Sequence, residues 1–232
     1  MTWRTDLYDR LDLAPHPIEM KPHTTALLLI DIQNGATSPN CGFGPSLTRH
    51  YPAAAEYYYT TIRRDLIPNA EKLLTLFRNV NARIIHLTLG PQLPDGSDMT
   101  TSGSSTGLGS DQPVGSPDHQ IIAELQPRPG ELVINKTSRG AFNSTSLERA
   151  LHNLKVSSVV GAGITTSACV ETTLRDAADR GFSTTLIHDA CAEFDESAHH
   201  ATLRQFAMRS GKVLSTSELT AQLGDVAQRQ PR

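Results

Sequence analysis

Short, continuously apolar runs alternate with helical stretches along most of this chain, and that alternation limits the fold more than any other feature. Thr25-Ala-Leu-Leu-Leu-Ile-Asp31 is an apolar run closed by an acid, the pattern of a strand buried on both faces. Behind a start signal at Pro68, Leu73, Leu74 and Phe77 recur at helical spacing across Ile67–Asn79, and Arg83–Thr88 follows as a second apolar strand. The unit then repeats. Strands are predicted over Glu131–Asn135, Ser157–Gly161 and Ser183–His188, helices over Ser146–Asn153, Val170–Arg180 and Ser197–Met208, and a short last strand at Val213–Leu214. Parallel strands need crossover connections, so the prediction is α/β: a single-domain, three-layer α/β/α, Rossmann-like fold around a mostly parallel central sheet. The 232 residues suffice for one such domain, with 1–22 as a polar N-terminal arm.

Gly35–Glu56 and Pro91–Pro117 break the rhythm, being rich in Gly, Pro, Ser, Asn and Asp and poor in apolar residues. Both are expected to be loops, with 91–117 a flexible loop insertion. Each follows a predicted strand, so in a parallel sheet both fall at the carboxyl edge, where such folds bind ligands. Tyr57-Tyr58-Tyr59 is expected to pack a helix face or meet a second subunit, since no basic groove accompanies it as a base-stacking platform would require.

Charge and cysteine usage narrow the partners. Lys and Arg total 21 against 24 Asp and Glu, a net charge of −3, with no basic field to grip nucleic acid or an anionic membrane. No segment has the apolar length of a membrane span, and an arm carrying Arg4, Asp6, Asp9, Arg10 and Asp12 is not a signal peptide. Cys41, Cys169 and Cys191 form an odd set without C-x-x-C, which argues against a disulfide framework or a zinc knuckle. The expectation is a cytoplasmic protein acting on a small molecule.

Three residues could carry chemistry. Asp31 ends a buried strand, and Lys136 stands one step past the strand 131–135; alone, each reads as an ordinary solvated charge. Cys169 follows Gly161-Ala-Gly-Ile-Thr-Thr-Ser-Ala168 and precedes a helix, a position that favours a thiolate and offers backbone N–H groups to an oxyanion. A free cysteine is otherwise an inert core residue, which is the reading for Cys191, while Cys41 reads as a loop bystander. In a parallel sheet Asp31, Lys136 and Cys169 all reach the same carboxyl edge. There, an acid, an ammonium and a thiol make an activated nucleophile.

Leu29-Ile-Asp31-Ile-Gln33, then Lys136-Thr-Ser-Arg-Gly-Ala-Phe142, then Gly161-Ala-Gly-Ile-Thr165-Thr-Ser-Ala-Cys169-Val170-Glu171 resembles the isochorismatase-like cysteine hydrolases in order and spacing, from about Thr25 to Ala207. The resemblance implies an Asp31-Lys136-Cys169 triad, a six-stranded sheet, and a cis peptide at Ile164-Thr165, with the N–H groups of Thr165 and Cys169 as oxyanion donors. It implies a homodimer or homotetramer. His188-Asp189-Ala-Cys-Ala192 with His199 matches a further family stretch and reads as structural, tying the last strand to the last helix.

Within the family, the metal-dependent nicotinamidases carry an Asp-x-His pair and a further His after the first strand. From Gln33 to Glu56 this chain offers only His50 and no aspartate, so neither metal nor cofactor is expected. The siderophore-pathway isochorismatases replace the nucleophile, whereas Cys169 is present. The chain is most similar to the branch acting on biuret, carbamoylsarcosine, ureidoacrylate and maleamate, which implies a hydrolase of small amides or ureides, with Gln33, Phe142, Thr165, Thr166 and Arg139 contacting substrate. Alternatives are an ester, lactone or vinyl ether substrate, or a non-catalytic member. Gly103-Ser104-Ser105-Thr106-Gly107 fits a nucleophile-elbow pattern but lies in a Ser/Gly loop rather than between strand and helix.

Overall fold

A computed structural model describes residues 20–100 and 112–229. The arm 1–22 falls almost wholly outside the described residues, as do the tip of the 91–117 insertion and the 103–107 motif. Six strands form one sheet in the order β3-β2-β1-β4-β5-β6: β1 Thr25–Ile30, β2 Arg83–Leu89, β3 Leu132–Lys136, β4 Ser158–Ile164, β5 Ser183–Ala192 and β6 Lys212–Leu214. All five pairings are parallel, so the sheet is wholly rather than mostly parallel.

The central strand shows why the chain folds this way. Ala26, Leu28 and Ile30 face one side, with Leu147, Leu151, Leu174, Leu203 and Phe206. Leu27 and Leu29 face the other, with Leu66, Leu73, Leu74, Phe77, Leu219 and Leu223. No residue of β1 meets solvent on either face, so its unbroken apolar run serves two cores at about 1.5–3 kcal/mol per buried aliphatic side chain. The helices flanking the sheet on its two faces are α1 Asn34–Thr37, α2 Gly44–His50, α3 Pro52–Thr61, α4 Ile67–Asn79, α5 Ala141–Ser144, α6 Leu147–Asn153, α7 Glu171–Asp179, α8 Glu196–Arg209 and α9 Thr216–Arg229.

Several sequence expectations need correction. Gly35–Glu56 is not a loop but carries α1, α2 and the start of α3. Pro45 and Pro52 occupy the first turns of α2 and α3, where a missing N–H loses no bond, and Phe43 and Leu47 pack against the core. Helix α4 spans Ile67–Asn79 as expected, with Pro68 in its first turn; what the sequence reading did not give is the π-helical turn over Ile62–Leu66 that joins it to α3, with Ile67 N–H reaching Ile62 O. Strand β4 runs on to Ile164, and β5 resumes past a bulge, its pairing to β4 shifting between Gly161↔Leu186 and Gly163↔Cys191.

Helix α9 escaped the periodicity reading although its start is written in Ser215-Thr-Ser-Glu218. Ser215 Oγ accepts from Glu218 N at 3.2 Å and Glu218 Oε2 accepts from Ser215 N at 2.7 Å, a reciprocal capping box. Tyr58 and Tyr59 are buried on α3, which is the helix-face packing expected of that run.

Among the described residues no helix is long and apolar enough to cross a membrane.

Candidate active site

The chain runs from β1 outward to β2 and β3, then returns to place β4 on the other side of β1, so the strand order reverses between β1 and β4. In open parallel sheets the ligand crevice opens there, at the carboxyl ends. Asp31 follows β1 directly, with φ of 57°, a left-handed conformation that Asp tolerates better than most residues. Its N–H donates to Leu87 O and its carbonyl accepts from Gln33 N, both at 2.9 Å, which turns the chain out of the sheet.

Lys136 is the last residue of β3, paired with Leu89, rather than one step beyond the strand. Across β4, the Ile164-Thr165 peptide is cis, and a π-helical turn over Thr166–Val170 leads into α7. Cys169 sits inside that turn. Gly163 makes the approach possible: its φ is 138°, and a Cβ there would stand 2.0 Å from Ile30 O.

Together these turns bring Asp31, Lys136 and Cys169 into one buried cluster, at 4%, 0% and 7% exposure. Lys136 Nζ lies 2.9 Å from Asp31 Oδ2, donates to Cys169 Sγ at 3.4 Å and to Ser138 O at 3.1 Å. Burial raises the Asp31 carboxyl above its ordinary value although Lys136 opposes the shift. Burial alone would depress the Lys136 ammonium, but the charges of Asp31 and Cys169 override it and hold the pKa above its usual value.

Burial also pushes the Cys169 thiol up to about 12, with Lys136 pulling the other way and Asp31 adding to the rise. Burial thus opposes the thiolate that the helix position favours, and the Lys136 charge opposes burial.

A cavity of about 580 Å³, counted to its open mouth, lies over Asp31 and Cys169. Its wall is largely apolar: Ala36, Phe43, Tyr58, Leu89, Met99 and Ile164 meet Gln112, Thr165 and Arg139 there. Of the residues expected to contact substrate, Thr165 and Arg139 line it.

The other three have different surroundings. Gln33 is buried with its amide spent on the backbone, donating to Leu89 O at 3.1 Å and His119 O at 2.9 Å and accepting from Leu89 N at 2.8 Å. Phe142 packs in the core beside Phe182 with Arg180 over its ring. Thr166 Oγ1 donates to Ala192 O at 3.1 Å and lies 2.8 Å from His199 Nδ1. Burial, with His200 and His188, lowers His199 to about 4, and its contact with Thr166 ties α8 to the turn that carries Cys169. Asp189 accepts from Thr216 N and Oγ1, both at 2.8 Å, and so ties β5 to α9.

Sequence reasoning passed over the aromatic wall of the cavity: Phe43 comes from the stretch expected to be a loop, and Tyr58 from the run expected to pack a helix face or meet a second subunit. It also passed over Glu193, a buried carboxylate that accepts from Ser167 N at 2.8 Å and Phe194 N at 2.9 Å and so anchors the turn that carries Cys169 to the end of β5. Nothing in local spacing marks that contact. The three cysteines are free thiols. Cys191 lies in the core, its thiol pushed up to about 12 by burial, and Cys41 donates to Asn34 O at 3.3 Å. Among the described residues no three His, Cys, Asp or Glu side chains converge as a metal site would require.

Comparison with known proteins follows the same lines. A family model described as Isochorismatase domain matches residues 25–218. A maleamate amidohydrolase of Pseudomonas putida is 28% identical over 202 residues, covering 87% of this chain and 88% of that protein. A ureidoacrylate amidohydrolase of Methylobacterium radiotolerans is 29% identical over 224 residues, covering 92% and 85%. Among solved structures, a cysteine hydrolase from Pseudomonas syringae pv. phaseolicola superposes with a TM-score of 0.78 at 22% identity, covering 92% of this chain and 98% of that one, a likeness of fold.

Proposed function

The chain belongs to the isochorismatase family of hydrolases, and from that premise we propose that it opens the C–N bond of a small amide or ureide through a thioester on Cys169. The observation that carries this reading is the buried cluster in which Lys136 stands 2.9 Å from Asp31 and 3.4 Å from Cys169, the last two lining an open cavity. The amidohydrolase names of its relatives support the class of bond.

In the proposed reaction the Asp31 carboxylate takes the Cys169 thiol proton as sulfur attacks the carbonyl carbon. The oxyanion so formed is held by the N–H groups of Thr165 and Cys169. The carbonyl re-forms as the C–N bond breaks, and the nitrogen leaves with the proton returned by Asp31. Water then attacks the thioester, Asp31 taking one of its protons and passing it to the departing sulfur, which releases the carboxylic acid and restores the thiol. Lys136 keeps Asp31 ionised at the start and stabilises sulfur when it carries charge. No step calls on a metal or cofactor. Phe43, Tyr58, Leu89 and Met99 suit an apolar acyl body, and Arg139 is the cation available to an anionic end.

The test is ammonia release from a panel of maleamate, biuret, butyramide and benzamide, with Cys169→Ser beside the wild type. Turnover of at least one amide is expected, and the variant should lose it by about a thousandfold or more. Hydrolysis of esters or lactones with no ammonia from any amide, or near-normal turnover by Cys169→Ser, would sink the proposal.

A further inference from the structure

The turn that carries Cys169 has no cap from its own start. Thr165 stands at its N-cap position without a side-chain hydrogen bond to the turn, and the end of β5 supplies the missing partners. Glu193, the residue after β5, accepts from Ser167 N through Oε2 at 2.8 Å and from Phe194 N through Oε1 at 2.9 Å. One residue earlier, Ala192 O accepts from Thr166 Oγ1 at 3.1 Å. Ala192 is itself paired with Ile164, the last residue of β4 before the turn, so two successive residues of the turn are tied back to the sheet that delivers it.

A carboxylate is a costly group to bury unless its oxygens are engaged, and Glu193 is only 4% exposed. Its bonds to N–H groups are charge-assisted and stronger than those a hydroxyl cap would make. The second of them reaches the cavity wall. Phe194, whose N–H takes Oε1, has its ring centroid 4.6 Å from that of Tyr58 and 5.9 Å from that of Phe43, and Tyr58 and Phe43 line the cavity with Cys169. One carboxylate therefore joins the turn that carries the sulfur to the residue that backs the aromatic wall.

We infer that Glu193 is a positioning residue for the reaction at Cys169: it fixes the sulfur and the N–H groups of Thr165 and Cys169 relative to the wall on which the acyl group rests. This rests on the hydrolase reading of the same site and names the group that aligns it. Glutamine cannot take its place. It has the same shape, but one of its two ends is an NH2, so in either orientation a nitrogen faces the N–H of Ser167 or of Phe194.

The experiment measures ammonia release by wild type, Glu193→Gln and Glu193→Asp on the amide that wild type turns over fastest, with rates expressed per folded protein. Aspartate keeps two acceptor oxygens but is one methylene too short to span both N–H groups, so it carries the same expectation. In each variant kcat should fall by about tenfold to a hundredfold, with KM within about threefold of wild type, because the alignment of the reacting groups is lost and the wall that binds substrate is kept. An unchanged kcat, or a rise in KM alone, overturns the inference.

A second measurement follows amide hydrogen exchange of the peptide spanning residues 165–170. It should be about tenfold faster in the variants than in wild type, while peptides from β1 exchange as before, and equal exchange overturns the inference. Failure of the broader reading looks different: wild type then releases no ammonia from any amide, whereas failure of this inference leaves wild type active and the variants equal to it.

Discussion

Lys136 and Asp31 form an ion pair of 2.9 Å with the lysine wholly buried and the aspartate nearly so. Such a pair adds little net stability when intact, since desolvation offsets attraction, but breaking it leaves one charge stranded out of water. Lys136→Met and Asp31→Asn are therefore each expected to lower stability by about 3–5 kcal/mol. The double variant, with no charge left to strand, should lose less than the sum of the two by more than about 1 kcal/mol. Urea denaturation of all four proteins measures the coupling, and additive losses would count against a mutually dependent pair.

In the proposed reaction the same two residues set the acid side of the pH profile. Asp31 would act as base only when ionised, and its pKa is raised above the ordinary 3.8, burial outweighing the opposing Lys136 charge. Activity on an amide should fall as pH drops through that raised value. Removing Lys136 removes what holds the pKa down, so the residual kcat/KM of Lys136→Met should show its acid limb at higher pH than wild type. A limb that stays in place or moves to lower pH would show that another group controls it.

How much of this was legible beforehand depended on whether the physics was local. The run Thr25–Ile30 announced a doubly buried strand because each residue reports its own hydrophobicity, and the topology of a parallel sheet then carried Asp31, Lys136 and Cys169 to one edge. Contacts made across the chain left no such trace. The Gln33 amide meets Leu89 and His119, 56 and 86 residues away in sequence, and nothing beside Gln33 shows that its polar groups are already engaged. The same holds for Phe43 and Tyr58, whose places on the cavity wall depend on short helices begun by prolines. Helix α9 is a different case, since its capping box was written in Ser215 to Glu218.

Thiol chemistry distinguishes a resting thiol from a preformed thiolate. Burial pushes Cys169 up to about 12 even with Lys136 beside it. Alkylation by iodoacetamide should then be slower at pH 7.5 in the native protein than for the same cysteine in the unfolded chain, and its rate should keep rising beyond pH 9. Mass spectrometry of the peptide carrying Cys169 measures this. A rate that levels off below pH 8 would mean the sulfur is already ionised, and deprotonation by Asp31 would drop out of the mechanism.

Away from the site, Glu131 joins the approach to β3 with α4 and β2, accepting from Arg78 Nε at 2.7 Å and Nη2 at 3.0 Å, from Arg128 N at 2.9 Å, and lying 3.2 Å from His86 Nε2. Burial alone would raise its pKa, but these hydrogen bonds, led by that from Arg78, lower it to about 2. A carboxylate depressed in the folded state adds stability above its unfolded value of about 4.5, and that contribution disappears as pH falls from there towards 2. After discounting for partial solvent screening, Glu131→Gln should cost about 1–3 kcal/mol at pH 7. Because protonation makes the wild type resemble the variant, the difference should shrink by pH 2.5. Denaturation curves of both proteins at the two pH values measure it, and a gap of the same size at both would assign the loss to packing rather than charge.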